Sequence, residues 1–287
     1  MVSINLLGNL GNQMWQYAVC RTLAERNNYK FSIPKSCIIS EYFECNLGVK
    51  NSDFKYTYFE PNPDIQKFNP DLLNLRDDTQ LNGYFQTEKY IHDNKHNIRK
   101  WFKQKKDYGY LLNEFKIDIN NTCIIHIRGG DYKLQPYTFL KKCYFEYSID
   151  KMKETHKLTN FIIVTDDIMA AKNYFPRLQI FHLGIAEDFY LLSSAKYLII
   201  SNSTFAWWAA WLNVNAKTII APKYWFRFNV SDGYWTVADS PTKGFIYADR
   251  NGQFYSYEEC INELNKILKH NYDPNKDNKV LRNLKRK

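Results

Sequence analysis

The segment most suited to chemistry is His126-Ile127-Arg128-Gly129-Gly130-Asp131, which follows a short apolar run. If that run is a strand, its two-residue period places His126 and Arg128 on the same face. The guanidinium of Arg128 presents a planar fork of donors suited to phosphate oxygens, and the two glycines permit a sharp turn before Asp131. The segment therefore predicts a phosphate-binding site. The alternative is that Arg128 is a surface residue and Asp131 a turn residue.

A carboxylate pair follows a second apolar run. Phe161 to Val164 leads directly into Thr165-Asp166-Asp167. Carboxylates at the end of a strand can accept hydrogen bonds from a ribose hydroxyl or from guanine nitrogens. Alternatively Asp167 caps the next helix, because aspartate is a favoured N-cap residue. Asp166 is thus a candidate nucleoside ligand.

A hydroxyl-rich turn follows a third apolar run. Ser201-Asn202-Ser203-Thr204-Phe205 precedes the apolar segment 206–212, which has the composition of a helix. Hydroxyl and backbone donors at a helix N-terminus, where the helix dipole is positive, form an anion site. Ser201, Ser203 and Thr204 are therefore candidate phosphate ligands. The three tryptophans at 207, 208 and 211 are interpreted as packing residues rather than sugar contacts.

The elements that must position these residues alternate between strands and helices. Apolar runs at 123–127, 161–164, 197–200 and 218–221 predict strands buried on both faces, as in a parallel sheet covered by helices. An earlier unit joins a strand at 2–6 to an amphipathic helix from about 13 to 26. The pattern predicts an α/β protein with two doubly wound domains facing a cleft, where ligands bind beyond the carboxyl ends of the strands.

The polar stretch Lys103 to Gly109 lies between the two series of elements. Because domain boundaries fall in polar, exposed segments, we expect an N-terminal domain at residues 1–115 and a C-terminal domain at 116–270. The remaining residues, 271–287, form a basic tail.

Net charge and hydropathy limit the partners. The formal charge of +9 is spread along the chain, and no nucleic-acid-binding module accompanies it. No run approaches the roughly 18 apolar residues of a membrane span, and the first five residues lack the charge of a signal peptide. We expect a soluble, cytoplasmic protein without a nucleic-acid partner. The basic tail is either a solvated terminus or a weak peripheral contact to anionic lipid at the inner membrane face.

The cysteine pattern indicates neither a zinc site nor a disulfide framework. The six cysteines are scattered, with no C-x-x-C pair, and are expected to be reduced. No D-x-D sequence occurs either, so a carboxylate pattern that commonly carries a divalent metal is missing. We therefore expect no metal and no cofactor.

Four segments together resemble a known family. Residues 8–18, GNLGNQMWQYA, are similar to the G-G-L-G-N-Q-M-F-Q-Y-A signature of the glycosyltransferase family eleven α-1,2-fucosyltransferases. Residues 81–90 resemble the family's G-Y-F-Q-S-E-K-Y segment, residues 126–132 resemble its H-x-R-R-G-D-Y motif, and residues 201–212 resemble its S-N-S-T-F-S-W-W-A-A-W-L block. The four blocks occur in the family's order.

The resemblance implies a GT-B-like fold of two Rossmann-like domains, the first for the acceptor and the second for the nucleotide sugar. By the same resemblance Arg128 holds the β-phosphate, His126 the nucleotide and Asp166 the guanosine end. Ser203 and Thr204 hold the phosphates, and Gly11 also belongs to the donor site. Asn12 approaches the reacting centre, with Asp131 and the acceptor-side Glu88 as candidates for a general base.

The implied reaction is inverting and independent of metal. A hydroxyl of a glycan acceptor, O-2 of a terminal galactose, attacks GDP-β-L-fucose to give an α-1,2 linkage. Gly129 occupies the position of the family's second arginine. One cation is therefore missing from the leaving-group site, which makes Arg128 the principal counter-charge.

Three alternatives are considered. A dehydrogenase fits residues 2–26 poorly, because Gly8 and Gly11 form G-x-x-G instead of G-x-G-x-x-G. A non-catalytic carbohydrate-binding protein would explain the many aromatic residues but not the phosphate-suited groups after two separate strands. An enzyme of the same fold that uses another GDP-deoxysugar stays open.

Overall fold

A computed structural model describes residues 1–51, 53–61, 67–229 and 239–269 of the chain. Two sheets lie on either side of the polar stretch near residue 105. The strands are β1 (Val2–Ile4), β2 (Phe31–Ser32), β3 (Tyr56–Phe59), β4 (Thr79–Asn82), β5 (Thr122–Ile127), β6 (Asn160–Thr165), β7 (Gln179–Phe181), β8 (Tyr197–Ile199), β9 (Thr218–Pro222), β10 (Ile246–Ala248) and β11 (Phe254–Tyr255).

Helices of several lengths cover these sheets. The α-helices are α1 (Leu10–Arg26), α2 (Ile39–Tyr42), α3 (Lys95–Trp101), α4 (Tyr110–Glu114), α5 (Lys142–His156), α6 (Ile168–Tyr174), α7 (Ile185–Ser194), α8 (Thr204–Leu212) and α9 (Tyr257–Lys269). Short 3₁₀ turns occur at Pro70–Asn74, Glu88–Tyr90, His92–Asn94, Gly130–Leu134 and Trp225–Arg227.

The first sheet has the order β2-β1-β4-β3, and all of its pairs are parallel. The chain leaves β1, crosses through α1 to β2 on one side, and later returns to place β4 on the other side of β1. The strand order therefore reverses between β1 and β4. In parallel sheets such a reversal opens a crevice at the carboxyl ends of the two strands.

The second sheet has the order β11-β10-β9-β8-β5-β6-β7 and is parallel except for the β10–β11 pair. The chain builds outward from β5 through β6 to β7 and then returns to place β8 on the other side of β5. Its reversal lies between β5 and β8, directly before the residues that the sequence singles out for phosphate binding.

The fold class predicted from the sequence is confirmed. Two Rossmann-like units with parallel sheets flank a cleft, and the four apolar runs of the second unit are β5, β6, β8 and β9. The limits of the two domains stay predictions, because one hydrophobic core contains residues of both units, among them Met14 of α1 and Trp208 of α8. The basic tail lies outside the described residues.

Helix α1 differs from its prediction in both start and packing. It begins at Leu10 rather than near residue 13, and it is buried on more than one face. The reason is that α8 covers the side that would otherwise face solvent, with the ring centroids of Trp15 and Trp207 4.2 Å apart. The first three turns, which are enclosed in this way, therefore have no exposed polar face, whereas Glu25 and Arg26 at the end of the helix are exposed.

Some short strands of the structure have no counterpart in the sequence prediction. The short strands β7, β10 and β11 were not predicted, because runs of two or three residues carry little periodicity. Within the described residues, no helix combines the length and apolar character that crossing a membrane requires.

Candidate active site

The two strand-order reversals open onto one cavity of about 620 Å³. From the first unit, Asn12 follows β1, and Tyr84 and Gln86 follow β4. From the second unit, the lining includes residues at or after the ends of β5, β6, β7 and the turn into α8. The cavity therefore lies between the units, with contributions from both sheets. Of the predicted site residues, Gly11, Asn12, His126, Arg128, Asp131, Asp166, Ser203 and Thr204 line it.

Arg128 lies at the mouth of this cavity between two carboxylates. Its guanidinium donates to Asp166 Oδ2 at 2.5 Å and to Asp131 Oδ1 at 2.7 Å. The other oxygen of Asp166 accepts the backbone N–H of Gly129 at 2.7 Å. Asp166 therefore orients the arginine and the turn behind it in this structure. Three of the five guanidinium N–H groups stay unassigned by these two bonds and can serve a ligand.

The structure also explains the glycine at position 129. A Cβ added there would contact the side chain of Asp167, with its carboxylate oxygen only 2.8 Å away. A second arginine at this position would displace Asp167, which caps α6 by accepting the N–H of Ala170 at 2.9 Å and pairs with Lys133. The structure therefore confirms the alternative from the sequence, in which Asp167 caps the helix that follows β6. Lys133 lowers the pKa of that carboxyl.

His126 is buried and linked to Ser201 behind the cavity wall. Its Nδ1 lies 2.6 Å from the hydroxyl of Ser201, and the side chain is 4% exposed. Burial, assisted by the positive charge of Arg128, lowers the pKa of His126 to about 3. The imidazole is therefore neutral at physiological pH. Ser201 does not line the cavity; it orients the ring of His126 rather than reaching a ligand in this structure.

The N-termini of α1 and α8 meet at the cavity. Gly11 permits this approach, because a Cβ there would lie 2.6 Å from Thr204 Oγ1 and against the backbone of Phe205. Asn12 Oδ1 accepts hydrogen bonds from Thr204 Oγ1 and Gln86 Nε2, both at 3.0 Å. The first backbone N–H groups of a helix have no partner within that helix. Two such sets of donors converge here, which makes this end of the cavity suited to an anion.

Ser203 and Thr204 lie at the start of α8, where the sequence predicted phosphate ligands. Ser203 is the N-cap residue, and its hydroxyl makes no capping bond to the helix. Thr204 Oγ1 already donates to Asn12, so its oxygen is left as an acceptor. Ser203 is therefore the better placed of the two hydroxyls to donate to a phosphate oxygen.

Glu88 does not line the large cavity. Its Oε1 accepts Trp211 Nε1 at 3.0 Å and lies 3.0 Å from His92 Nδ1, while Oε2 accepts the backbone N–H of Lys243 at 3.2 Å. It connects the first unit to α8 and to the segment before β10. Its role as a catalytic candidate stays a prediction, but in this structure Glu88 lines a smaller, neighbouring cavity.

Sequence reasoning missed Asp188 and His182, which both line the large cavity. Asp188 lies in the first turn of α7 and accepts the N–H of Leu183 at 3.1 Å, with His182 Nδ1 3.5 Å away. Burial raises the pKa of this carboxyl. The available signal was weak, since both residues follow the three-residue strand β7, which the sequence did not predict.

Two lysines that follow the strands β5 and β9 have carboxylate partners. Lys223 is 1% exposed and donates to Glu263 Oε2 at 2.5 Å, and Lys133 pairs with Asp167. In the part of the chain that the structure describes, no three His, Cys, Asp or Glu side chains come together as a metal site. The groups of this cavity that suit a nucleotide are the guanidinium of Arg128, the N-termini of α1 and α8, and the buried carboxylate of Asp188.

Comparison with known proteins gives matches over most of the chain. The model of the family described as "Glycosyl transferase family 11" matches residues 1–233. The O-antigen biosynthesis glycosyltransferase WbnK of Escherichia coli is 27% identical, over 78% of this chain and 94% of its own. An alpha-1,2-colitosyltransferase of Escherichia coli is 29% identical, over 79% and 93%. Galactoside alpha-(1,2)-fucosyltransferase 2 of Hylobates lar is 22% identical, over 78% and 72%.

Proposed function

Because the chain belongs to glycosyl transferase family 11 and is therefore a glycosyltransferase, we propose that it transfers L-fucose from GDP-β-L-fucose to O-2 of a terminal galactose. The product would be an α-1,2-linked glycan, formed with inversion and without a metal ion. The family membership decides against the dehydrogenase and the non-catalytic carbohydrate-binding protein.

The observation that carries this proposal is the set of donors at the cavity between the units. Arg128 and the N-termini of α1 and α8 line the same 620 Å³ space. A leaving diphosphate gains negative charge as its bond to the sugar breaks, so preorganised donors at that position stabilise the transition state more than the ground state. The arrangement supplies this stabilisation without a cation other than the protein's own.

In the proposed reaction the acceptor hydroxyl forms a bond to the anomeric carbon while the bond from that carbon to the diphosphate oxygen breaks. Attack from the face opposite GDP turns the β-linked donor into an α-linked product. The hydroxyl proton passes to a base or to water. Of the two carboxylates predicted for this role, Asp131 lines the cavity and is 63% exposed. It can therefore give up its hydrogen bond to Arg128 and accept the proton of the acceptor hydroxyl instead.

Asp188 supports a guanine nucleotide over other bases. Guanine presents two adjacent donors, N1–H and the N2 amino group, which a carboxylate can accept together. Asp188 and His182 line the cavity on the β7 side, whereas Asp166 is already engaged by Arg128 and Gly129. Asp188 is therefore our second candidate for the guanine end, beside Asp166, to which the family resemblance assigns that role.

A second donor is considered because one relative is named as a colitosyltransferase. The same cavity would bind another GDP-deoxysugar with the same diphosphate contacts, since these contacts do not involve the sugar. The two candidates therefore differ only in the sugar moiety.

A panel of donors decides between them. Purified protein is incubated with a methyl β-galactoside and GDP-fucose, another GDP-deoxysugar, GDP-mannose or UDP-galactose, and nucleotide release is measured. We expect release to be fastest with GDP-fucose, with an α-1,2 linkage in the product by NMR. If only a different GDP-sugar is turned over, that sugar nucleotide is the donor instead of GDP-fucose. If only UDP-galactose is turned over, the proposed guanine-binding site is wrong.

A further inference from the structure

A narrow second cavity of about 20 Å³ opens beside the large one. Three tryptophans form its walls: Trp15 of α1, Trp207 of α8 and Trp225 after β9. The polar residues Gln86, Glu88, Thr204, Ser240 and Thr242 line the rest. We call this space the tryptophan slot. Because Gln86 and Thr204 also line the large cavity, the slot adjoins the proposed reaction centre near Asn12.

The slot contains a buried hydroxyl group without a hydrogen-bond partner among the residues that the structure describes. Ser240 Oγ is buried from solvent and has no hydrogen-bond partner among the described residues. A buried hydroxyl without a hydrogen-bond partner destabilises the folded protein. Among the described residues, Glu88 Oε2 accepts only the N–H of Lys243, so it has room for a second donor. A donor and acceptor group that enters the slot would satisfy both.

The backbone at the slot is held in an unfavourable conformation. Tyr224 and Trp225 have φ of +65° and +48°, in the left-handed region that bulky side chains rarely adopt. Asn202 stabilises this turn by donating to the carbonyl oxygen of Trp225 at 3.4 Å and to that of Thr138 at 2.8 Å. Backbone strain of this kind persists where the surrounding structure enforces it, and it concentrates at ligand sites. Here it places the Trp225 ring against the slot.

The size of the slot limits what it can hold. A volume of about 20 Å³ accommodates one oxygen-sized group and no larger fragment. The walls are nearly buried, with Trp15, Trp207 and Trp225 exposed by 3%, 4% and 5%. Walls this closed leave no aromatic face open to a whole sugar ring, so the slot suits a single hydroxyl beside Ser240 and Glu88, which both line it.

We propose that the tryptophan slot receives one hydroxyl group of the acceptor sugar, which donates to Glu88 Oε2 and exchanges a hydrogen bond with Ser240 Oγ. The acceptor is thus selected by a hydroxyl other than the one that reacts. This inference rests on the proposed glycosyl transfer for the nature of the acceptor. It also assigns Glu88 to acceptor binding.

The test measures acceptor binding without catalysis. Intrinsic tryptophan fluorescence is followed while methyl β-galactoside, or its 3-, 4- or 6-deoxy analogue, is added to the protein with GDP. One analogue should bind about 10-fold more weakly than the parent, as expected for losing a hydrogen bond to a charged group. Ser240→Ala should weaken the parent several-fold and leave that one analogue unchanged, because the two changes remove the same interaction.

Two variants sharpen the comparison. Ser240→Val fills the slot with methyl groups, so it should abolish the preference for the parent over that analogue. Ser148→Ala is the matched control, because Ser148 is a buried serine whose hydroxyl donates within its own helix at 2.8 Å. It should change no acceptor affinity. GDP affinity, measured by calorimetry, should be the same in all of these variants.

The outcomes separate the slot from the proposed function. If Ser240→Ala affects every analogue equally or none of them, or if Ser240→Val keeps the preference, the slot holds only a water molecule and the inference is overturned. Absence of any galactoside binding overturns it as well. If the hydroxyl dependence is found but GDP-fucose is not used, the slot stands and the donor proposal fails.

Discussion

At the scale of single residues, the proposed reaction depends most on Arg128. It is three-quarters buried, and its two carboxylate partners hold it in one orientation. Asp131 is mostly exposed and can release the guanidinium to a diphosphate, whereas Asp166 also bonds to Gly129 and keeps the turn in place. Arginine can bridge two phosphate oxygens at once, which an ammonium group cannot.

Arg128→Ala is expected to lower kcat/KM by a factor of about 10²–10³, the range for losing one preorganised oxyanion donor. The loss should be larger in kcat than in GDP affinity, because the diphosphate charge grows toward the transition state. Arg128→Lys should recover only a small part. Steady-state kinetics and GDP titration check this, with Arg177→Ala, an exposed arginine in the loop before β7, as the control. A near-normal kcat in Arg128→Ala would remove the residue from the mechanism.

The buried neutral state of His126 predicts a pH dependence of stability. Its pKa is about 3 in the folded protein and about 6.5 in the unfolded chain. Between these values the unfolded state binds more protons, so the free energy of unfolding decreases as pH falls below about 6.5. The decrease attributable to this residue is at most about 1.4 kcal/mol per pH unit.

Urea unfolding of the wild type and His126→Asn at pH 7.5 and pH 5 measures this contribution. The wild type should lose more stability than the variant between the two pH values. His96→Asn, which changes an exposed histidine, serves as the control and should follow the wild type. Equal losses in the wild type and His126→Asn would mean that His126 is not buried in its neutral form.

At the scale of elements, the loop after β4 is held in place by a buried carboxylate. Glu60 Oε2 accepts the N–H of Tyr84 at 2.7 Å and that of Phe85 at 3.1 Å. Phe85 has φ of +53°, so these bonds enforce a turn that its side chain disfavours. Gln16 adds a bond of 2.9 Å to the carbonyl oxygen of Gly83. The loop thereby presents Tyr84 and Gln86 to the cavity.

Glu60→Gln is therefore expected to reduce transfer even though Glu60 is not part of the cavity lining. Glutamine has one acceptor oxygen, so with that oxygen in the place of Oε2 its NH₂ group would face the N–H of Phe85, which Oε1 accepts at 3.1 Å in the wild type, and the turn loosens. We expect kcat/KM for the acceptor to fall by about 10-fold, with a smaller change in GDP affinity. Glu44→Gln is the matched control, since Glu44 forms an exposed pair with Lys103. Equal kinetics in both variants would show that the turn does not depend on Glu60.

At the scale of the whole molecule, the proposed reaction balances the charge of the leaving GDP with the protein's own groups. Arg128 and the N-termini of α1 and α8 come from different units and converge on one cavity. Activity should therefore persist in excess EDTA, because no step in the proposed reaction uses a metal ion. GDP release assayed with and without EDTA, then with added Mn²⁺, checks this. Loss of activity in EDTA that Mn²⁺ restores would contradict the mechanism.

The sequence alone determined four of the strands of the second unit and eight of the residues that line the cavity. Strands buried on both faces have continuous apolar sequences, so β5, β6, β8 and β9 were evident from composition. In parallel sheets the residues after such strands lie at one edge, which is why His126, Arg128, Asp166 and Ser203 could be grouped in advance. This reasoning uses only local periodicity and a general rule of topology.

The tertiary structure decided how these residues are used, because their partners are distant in the chain. The hydroxyl of Ser201 is hydrogen-bonded to His126, 75 positions away in the chain. Glu88 is hydrogen-bonded to Trp211 and Lys243 and does not line the large cavity. Asp188 and the tryptophan slot depend on how β7, α7 and three separate tryptophans pack. Hydrogen bonds and burial between segments remote in sequence leave no local pattern. The strand ends are thus predictable from sequence, but their partners are not.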